Sequence, residues 1–350
     1  MVTTISKVAI NTQQRNRLTA RKLTIVLIAL TVSLVVITSI ALLVGSEKIP
    51  AMTILKIIVA GITGHTEAVA PEQSQIIFGI RLPRVLMGVV AGAALGVAGG
   101  AYQAILRNPL AEPYILGVST GGAVGAIIAI LFVQSNPLIR PMAGFLGAAL
   151  TTAIVYFLGQ GRRQAPTERL VLAGIITNTF LSSVVIFLIT SVSGARMQNV
   201  FSWLMGHLEV EALLLTVVAI FVVTGIAIIL INARSLNLIM TGEQEAMALG
   251  VEVERVKIMV YFASSLIAGA TVAASGVIGF VGLIIPHAVR LVWGSDNRLV
   301  LPASALVGGA FLVLCDAIAR TLIAPSGLHI GVITAMVGAP VFVYLLRRTS

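Results

Sequence analysis

Long apolar runs separated by short polar segments cover almost the whole chain. Residues 23–44 carry no charge and are long enough to cross a hydrocarbon core of about 30 Å. This run is too long for a signal-peptide core of about 7–15 residues, so we expect an uncleaved first span. The run 258–293 would form a helix about 54 Å long, which predicts two crossings with a break near the glycines of 275–282.

The pattern predicts an all-α polytopic membrane protein with ten spans. One transmembrane domain covers residues 23–346, between a basic tail (1–22) and a short end (347–350). Residues 45–80 are expected to form a polar loop, and residues 200–206 a short interfacial piece. The predicted spans are 23–44, 85–106, 114–134, 141–159, 170–191, 212–232, two within 258–293, 301–320 and 330–346.

One strongly charged segment, residues 234–257, interrupts the apolar pattern after the sixth span. A chain does not need such a segment in order to sit in a membrane, so we expect a soluble partner to bind there. Its charged residues are the carboxylates Glu243, Glu245, Glu252 and Glu254 and the basic Arg234, Arg255 and Lys257.

Composition and charge agree with a multi-pass protein. Only 10% of the residues are charged, against about 25% in soluble domains, and the mean hydropathy is +1.04. The loops on the side of both termini hold 16 Lys and Arg, and those on the other side hold 7. The positive-inside rule places both termini and the segment 234–257 in the cytoplasm. The net charge of +10 is therefore poor evidence for a nucleic-acid partner.

Small and polar residues recur at helical spacing within the spans. Residues four apart share a helix face, so glycine stripes predict close packing, with helix sliding as an alternative. Asn178 and Ser182 share a face of the fifth span, where they either bond to a neighbouring helix or line a water-filled path. The stripes are Gly88, Gly92, Gly96 and Gly100 in the second span and Gly117, Gly121 and Gly125 in the third.

Several motifs argue against catalysis or ion coupling by this chain. Ser119 stands in a Gly-x-Ser-x-Gly pattern, but here the pattern opens an apolar helix and not the strand-to-helix turn that a nucleophile elbow needs, so a serine hydrolase ranks last. No lysine follows a glycine, which excludes a Walker A loop, and the four histidines are scattered. Asp316 lies four residues before Arg320, and an i,i+4 ion pair explains it more simply than proton transport. The single cysteine, Cys315, is expected to pack in the interior.

Four further motifs carry a resemblance to a known family. They are Arg81-Leu82-Pro83-Arg84, Asn108-Pro109-Leu110-Ala111-Glu112-Pro113, Gly279-Phe280-Val281-Gly282-Leu283-Ile284-Ile285-Pro286-His287 and Gly338-Ala339-Pro340. From about residue 75 onward the chain resembles FecCD/BtuC-like permeases, the membrane subunits of bacterial ABC importers for ferric siderophores, haem or cobalamin. One departure is Gly327-Leu328-His329-Ile330-Gly331, where the family often reads Glu-Leu-Pro-Ile/Val-Gly.

The resemblance implies a type II importer fold in the bacterial inner membrane and a set of partners. These are a second permease subunit, identical or related, two cytoplasmic ATPases and a periplasmic or lipoprotein binding protein. ATP and magnesium would bind the ATPases, and this chain would hold no metal or cofactor. The expected cargo is a ferric siderophore, with cobalamin or haem as alternatives and an ion-coupled secondary transporter as the alternative of another class.

The resemblance also implies roles for particular residues. The residues expected to dock the binding protein are Arg81, Arg84 and Arg320. The residues expected to contact the ATPase are Gly242, Glu243, Ala246, Leu249 and Gly250, with Ala246 and Leu249 on one face of a pair of short helices. The residues expected to form the inner gate and the path are Pro166, Thr167 and Glu168, together with Asn178 and Ser182.

Overall fold

A computed structural model describes residues 19–45, 47, 49–63, 70–133, 138–160, 167–191, 193–322 and 328–349, and its regular elements are helices. In chain order they are α1 (Ala20–Leu43), α2 (Ala51–Thr63), α3 (Pro71–Gln75), a π-helical segment (Ile76–Arg81), α4 (Leu82–Ile105), α5 (Val118–Phe132), α6 (Ile139–Gly159), α7 (Thr167–Thr190), α8 (Ala195–Leu204), α9 (Ala212–Ile231), α10 (Ala233–Thr241), α11 (Glu243–Ala248), α12 (Val253–Ser275), α13 (Val281–Trp293), α14 (Asn297–Leu322) and α15 (Ile330–Thr349).

Each of the ten predicted spans contains a helix. Among the described residues, seven helices are long and apolar enough to cross a membrane. The other three predicted spans hold shorter apolar helices, namely α5, α13 and the part of α15 from Ile330 to Leu345. The 15 residues of α5 rise only about 22 Å, so irregular backbone completes that crossing. Such backbone is tolerated at membrane depth where protein buries it.

The break predicted between the seventh and eighth spans is present. Helix α12 ends at Ser275, and α13 begins at Val281 after five intervening residues. Gly276 has a φ of +69°, and a Cβ there would overlap the backbone carbonyl of Trp203 at the end of α8. A glycine is therefore required at the turn, because only glycine combines that backbone angle with such a close approach.

The prediction of a polar loop over residues 45–80 was wrong. The chain forms α2 there, followed by α3 and the π-helical segment that leads into α4. Ile54 and Ile57 of α2 are buried and pack with Ile49 and Ile77 in a small core of their own. The span prediction depends on apolar runs long enough to cross a membrane, and a 13-residue amphipathic helix is shorter than that criterion requires.

The glycine stripes lie where neighbouring backbones approach most closely. A Cβ on Gly92 would overlap the carbonyl of Gly308 in α14, and a Cβ on Gly308 would overlap that of Gly92. In the same seam Gly96 faces the Ser304 carbonyl. Helix α5 packs on α6 in the same way through Gly121 and Gly125, and Gly117 (φ +78°) is the N-cap of α5. A Cβ on Gly88 or Gly100 would meet side chains of α14 at 3.2 Å and 3.3 Å, closer than ordinary van der Waals contact.

Candidate functional site

A buried carboxylate lies among the arginines expected to dock a binding protein. Asp316 is only 1% exposed. Its Oδ1 accepts a hydrogen bond from Arg84 Nε at 2.9 Å, and its Oδ2 lies 3.0 Å from Arg320 Nε. The i,i+4 pair between Asp316 and Arg320 is therefore present. A carboxylate between two guanidinium groups is compensated for the loss of its hydration.

Arg81 and Arg320 also hold the carboxyl-terminal turn of α1. The last carbonyl groups of a helix lack partners within it and carry partial negative charge, so cations bind there favourably. Both side chains are largely buried in this position. The bonds run from Arg81 Nη1 to Leu42 O (3.1 Å), from Arg320 Nη1 to Val44 O (2.9 Å) and from Arg320 Nη2 to Ala41 O (3.2 Å).

The predicted docking arginines therefore do not stand free at the outer face. Arg81 and Arg320 use their donors within the chain. Arg84 keeps 17% of its side chain exposed, and its Nη1 lies 2.5 Å from a carboxylate oxygen of Glu209, whose side chain is 68% exposed. Sequence could not show these partners, since they come from distant parts of the chain. Docking stays a prediction, with the Arg84–Glu209 pair as the part best placed for it.

Beside this network lies a cavity of about 710 Å³. Arg140 reaches it from the first turn of α6, His207 from the segment between α8 and α9, and His329 from just before α15. His329 Nε2 lies 2.9 Å from the hydroxyl of Ser202 on α8. Further lining residues are Gly45, Glu47, Ile76, Ile80, Arg81, Arg84, Asn199, Trp203, Gly206, Glu209, Arg320, Leu328 and Ile330.

The cavity was not predicted as a site, although two signals pointed to it. Arg140 is a basic residue at the start of an apolar span, and His329 departs from the expected family motif. Burial lowers the pKa of His207 to about 4, and the charges of Arg140 and Arg84 act in the same direction. His207 is therefore neutral at pH 7, and the arginines supply the positive charge of the lining.

The charged segment 234–257 folds into two short helices, α10 and α11, joined at Gly242. Buried Lys257 at the start of α12 lies 3.0 Å from Glu243 of α11 and ties the pair to the membrane-spanning part. Asn237 Nδ2 donates to Asp296 Oδ1 at 2.8 Å, just before α14. A recess of about 530 Å³ lies beside α11, with Glu243, Met247, Val251, Glu252, Val253, Glu254, Arg255, Ile258 and Met259 around it.

Ala246 and Leu249 do not share a face, contrary to the expectation from their spacing. Ala246 is fully buried in the main core, whereas Leu249 is 68% exposed. Helix α11 ends at Ala248, and the Leu249 N–H caps it by bonding to the Glu245 carbonyl at 3.1 Å, so Leu249 lies at the exposed end of the helix while Ala246 lies inside it. Gly250 (φ +84°) follows with open space beside it. Leu249 and Gly250, rather than Ala246, are accessible to a partner.

The residues assigned to the inner gate and path are only partly brought together. Pro166 lies outside the described residues, α7 begins at Thr167, and Glu168 is exposed in its first turn. The Asn178 side chain accepts a hydrogen bond from Thr120 of α5, so it bonds to a neighbouring helix. Ser182 is half-buried one turn further on. A role in gating stays a prediction.

Residues assigned by the loop count to one side of the membrane also lie together in space. Four of the seven Lys and Arg assigned to the outer side line one cavity, namely Arg81, Arg84, Arg140 and Arg320. In the inner set, Asn237 bonds to Asp296, and Lys22 Nζ lies 3.4 Å from the carbonyl of Trp293. The alternation of the ten spans is consistent with these contacts.

Comparison with known proteins gives the family. The family model described as the FecCD transport family matches residues 26–348, so the match includes the first span as well as the motifs after residue 75. The chain belongs to the FecCD transport family. This FecCD protein is therefore a permease of a metal-chelate-type ABC importer, a multi-pass inner-membrane protein and a transport component rather than a catalytic one.

The relatives of this FecCD protein are named for different chelates. It is 44% identical to a cobalamin import permease of Halobacterium salinarum (79% of this chain, 75% of that one). It is 39% identical to a hemin transport permease of Yersinia pestis (77% and 82%) and 36% identical to an Fe(3+)-citrate import permease of Bacillus subtilis (79% and 83%).

A solved structure of a metal-chelate-type ABC transporter in an inward-facing conformation matches the fold. Its TM-score is 0.81 at 31% identity, with 92% of this chain and 98% of the other covered. The predicted type II importer permease fold is thereby confirmed. The alternative of a stand-alone ion-coupled carrier does not fit a FecCD permease.

Proposed function

We propose that this chain forms the membrane path of an importer that takes an iron chelate, most specifically a ferric siderophore, from an external binding protein into the cytoplasm. The observation that carries the proposal is the family match over residues 26–348. Relatives named for hemin, Fe(3+)-citrate and siderophore transport support an iron chelate as the cargo. The cobalamin relative is the most identical of the three described above, so cobalamin remains the alternative cargo.

Energy would come from separate ATPase subunits that bind ATP and magnesium. The chain has no Walker A lysine, and its segment 234–257 offers a surface for such a partner. Leu249 and Met247 are exposed there, next to several carboxylates. Exposed apolar side chains beside charged ones are typical of protein interfaces. In this proposal both termini lie in the cytoplasm, with α10 and α11 against the ATPase.

A second permease subunit would complete the path. The described part of α7 exposes large apolar side chains such as Phe180 and Phe187, and Thr179 and Ser183 lie among them. In the proposed pair, this face of α7 meets the central path or the other subunit. The arrangement supports either two copies of this chain or one copy with a related permease.

Reconstitution tests the proposed function directly. The permease, its partner ATPase and its binding protein are placed in proteoliposomes, and uptake of radiolabelled ferric siderophore, ferric citrate, haemin and cobalamin is measured. We expect uptake of an iron chelate that requires hydrolysable ATP. Uptake driven by a proton gradient without ATP would contradict the mechanism, and uptake of cobalamin alone would contradict the cargo.

A further inference from the structure

One arginine of the outer cavity, Arg140, has no bonding partner among the residues that the structure describes. Arg81, Arg84 and Arg320 are engaged with Asp316, Glu209 or the end of α1, as described above. Arg140 makes no hydrogen bond or ion pair with any residue that the structure describes. A half-buried guanidinium without a partner loses hydration and gains nothing in return, so a bound anion would stabilise it.

The position of Arg140 in its helix adds to this argument. It is the second residue of α6, at the helix end that already carries partial positive charge. A cation at this end of a helix is unfavourable and does not contribute to helix stability. An anion placed beside Arg140 would interact favourably with both the guanidinium and the helix end. The location therefore favours a ligand role over a structural one.

The rest of the lining is also suited to an acidic ligand. The lining holds four arginines against two glutamates, Glu47 and Glu209, and the ring nitrogens of His207 and His329 can add hydrogen-bond donors to an oxyanion. Ser202 and His329 lie 2.9 Å apart and line the same cavity as Arg140. The volume of about 710 Å³ is that of a small-molecule site, whereas a docked protein would meet a flatter surface.

We propose that this cavity binds a carboxylate of the chelate as it enters the permease, with Arg140 as the charged donor and the Ser202–His329 pair as a further donor. The inference rests on the proposed function, and it narrows the cargo to chelates with exposed acidic groups. A carboxylate on a docking protein has the same chemistry. The experiment must therefore separate the two sources.

The test uses the full-length permease in lipid nanodiscs, with radiolabelled ferric citrate as an acidic probe and ferrioxamine B as a chelate without free carboxylates. Equilibrium dialysis at low salt gives the Kd of each. We expect Arg140→Gln to weaken ferric citrate binding about tenfold, since a charge-assisted hydrogen bond is lost. Arg140→Lys should recover part of the loss. Lys56→Gln, which removes an exposed positive charge from the same predicted side, is the matched control.

A second measurement, docking of the binding protein to each variant, identifies the source of the anion. Unchanged docking with weakened citrate binding supports the proposal. Weakened docking with unchanged citrate binding would assign Arg140 to the protein interface and overturn it. Wild-type permease that fails to bind ferric citrate, or an Arg140→Gln variant that binds it like Lys56→Gln, would also overturn it. Because binding is measured without ATP, failure of transport in proteoliposomes would count against the proposed function alone.

Discussion

Replacing Asp316 with asparagine removes the negative charge that Arg84 and Arg320 share. The carboxylate is 1% exposed and lies 2.9 Å and 3.0 Å from the two guanidinium groups. Removing one partner of a buried ion pair costs about 3–5 kcal/mol, because the remaining charge stays buried. Asparagine keeps a hydrogen-bond acceptor, so we expect a loss of about 3 kcal/mol in the free energy of unfolding.

The neighbouring Cys315 provides the assay for this loss. It is the only cysteine of the chain and is buried, so a thiol-reactive fluorogenic dye labels it when the protein opens. Labelling over a denaturant series in detergent gives the unfolding free energy by linear extrapolation. The fluorescence of Trp203 and Trp293 gives an independent transition that does not depend on thiol reactivity.

The matched control is Glu252→Gln, which removes a carboxylate from an exposed pair. Glu252 and Arg255 lie 3.4 Å apart, and more than 70% of each side chain is exposed. Pairs of this kind contribute about 0–1 kcal/mol, so the control should unfold nearly like wild type. If Asp316→Asn is no less stable than Glu252→Gln, the arginines do not depend on a shared buried charge, and the network described here is incorrect.

Three further variants test the other contacts. In the same unfolding assay, Gly92→Ala should destabilise the protein by about 1–3 kcal/mol, because its Cβ overlaps the backbone of α14. Gly279→Ala should leave the stability unchanged, because Gly279 has open space around it. Leu249→Asp should reduce co-purification of the ATPase and leave a folded permease, whereas Ala246→Asp should prevent folding because it buries a charge. Asn237→Ala removes two bonds to the start of α14 and should lower ATP hydrolysis stimulated by the binding protein more than basal hydrolysis. Equal stability of Gly92→Ala and Gly279→Ala would contradict the close contact at Gly92. An unchanged complex between Leu249→Asp permease and the ATPase would contradict the contact at Leu249, and unchanged stimulation of hydrolysis in Asn237→Ala would contradict the role of its two bonds.

The membrane-spanning part of the fold could be predicted because its signal is local. An apolar run such as 23–44 identifies a span without reference to the rest of the chain, and the glycines after Ser275 mark the break. The glycine spacing likewise identified the seam between α4 and another helix. It could not identify α14 as the partner, because spacing on one helix contains no information about the neighbour.

The candidate sites were harder to predict because they depend on contacts between distant segments. Arg81 and Arg320 were recognised as outer arginines, but their bonds to the end of α1 join residues far apart in the chain. For Arg140, the sequence showed only that the residue lies at the start of a predicted span. Whether an arginine is bound or free depends on which loops fold over it, and hydropathy does not determine that.

Helix α14 connects the two candidate surfaces within one rigid element. Its 26 residues rise about 39 Å, with Asp316 and Arg320 in the outer network and Asn297 bonded to Asn237 of α10. At Gly92, Gly96 and Gly308 the backbones of α4 and α14 meet without an intervening side chain, so no layer of side chains absorbs a displacement at that part of the seam. Pro302 lacks a backbone N–H one turn from the inner end, which makes that turn the weakest point of the helix. We therefore expect a movement at the Arg84–Glu209 pair to reach α10 through α14, unless the helix bends at Pro302.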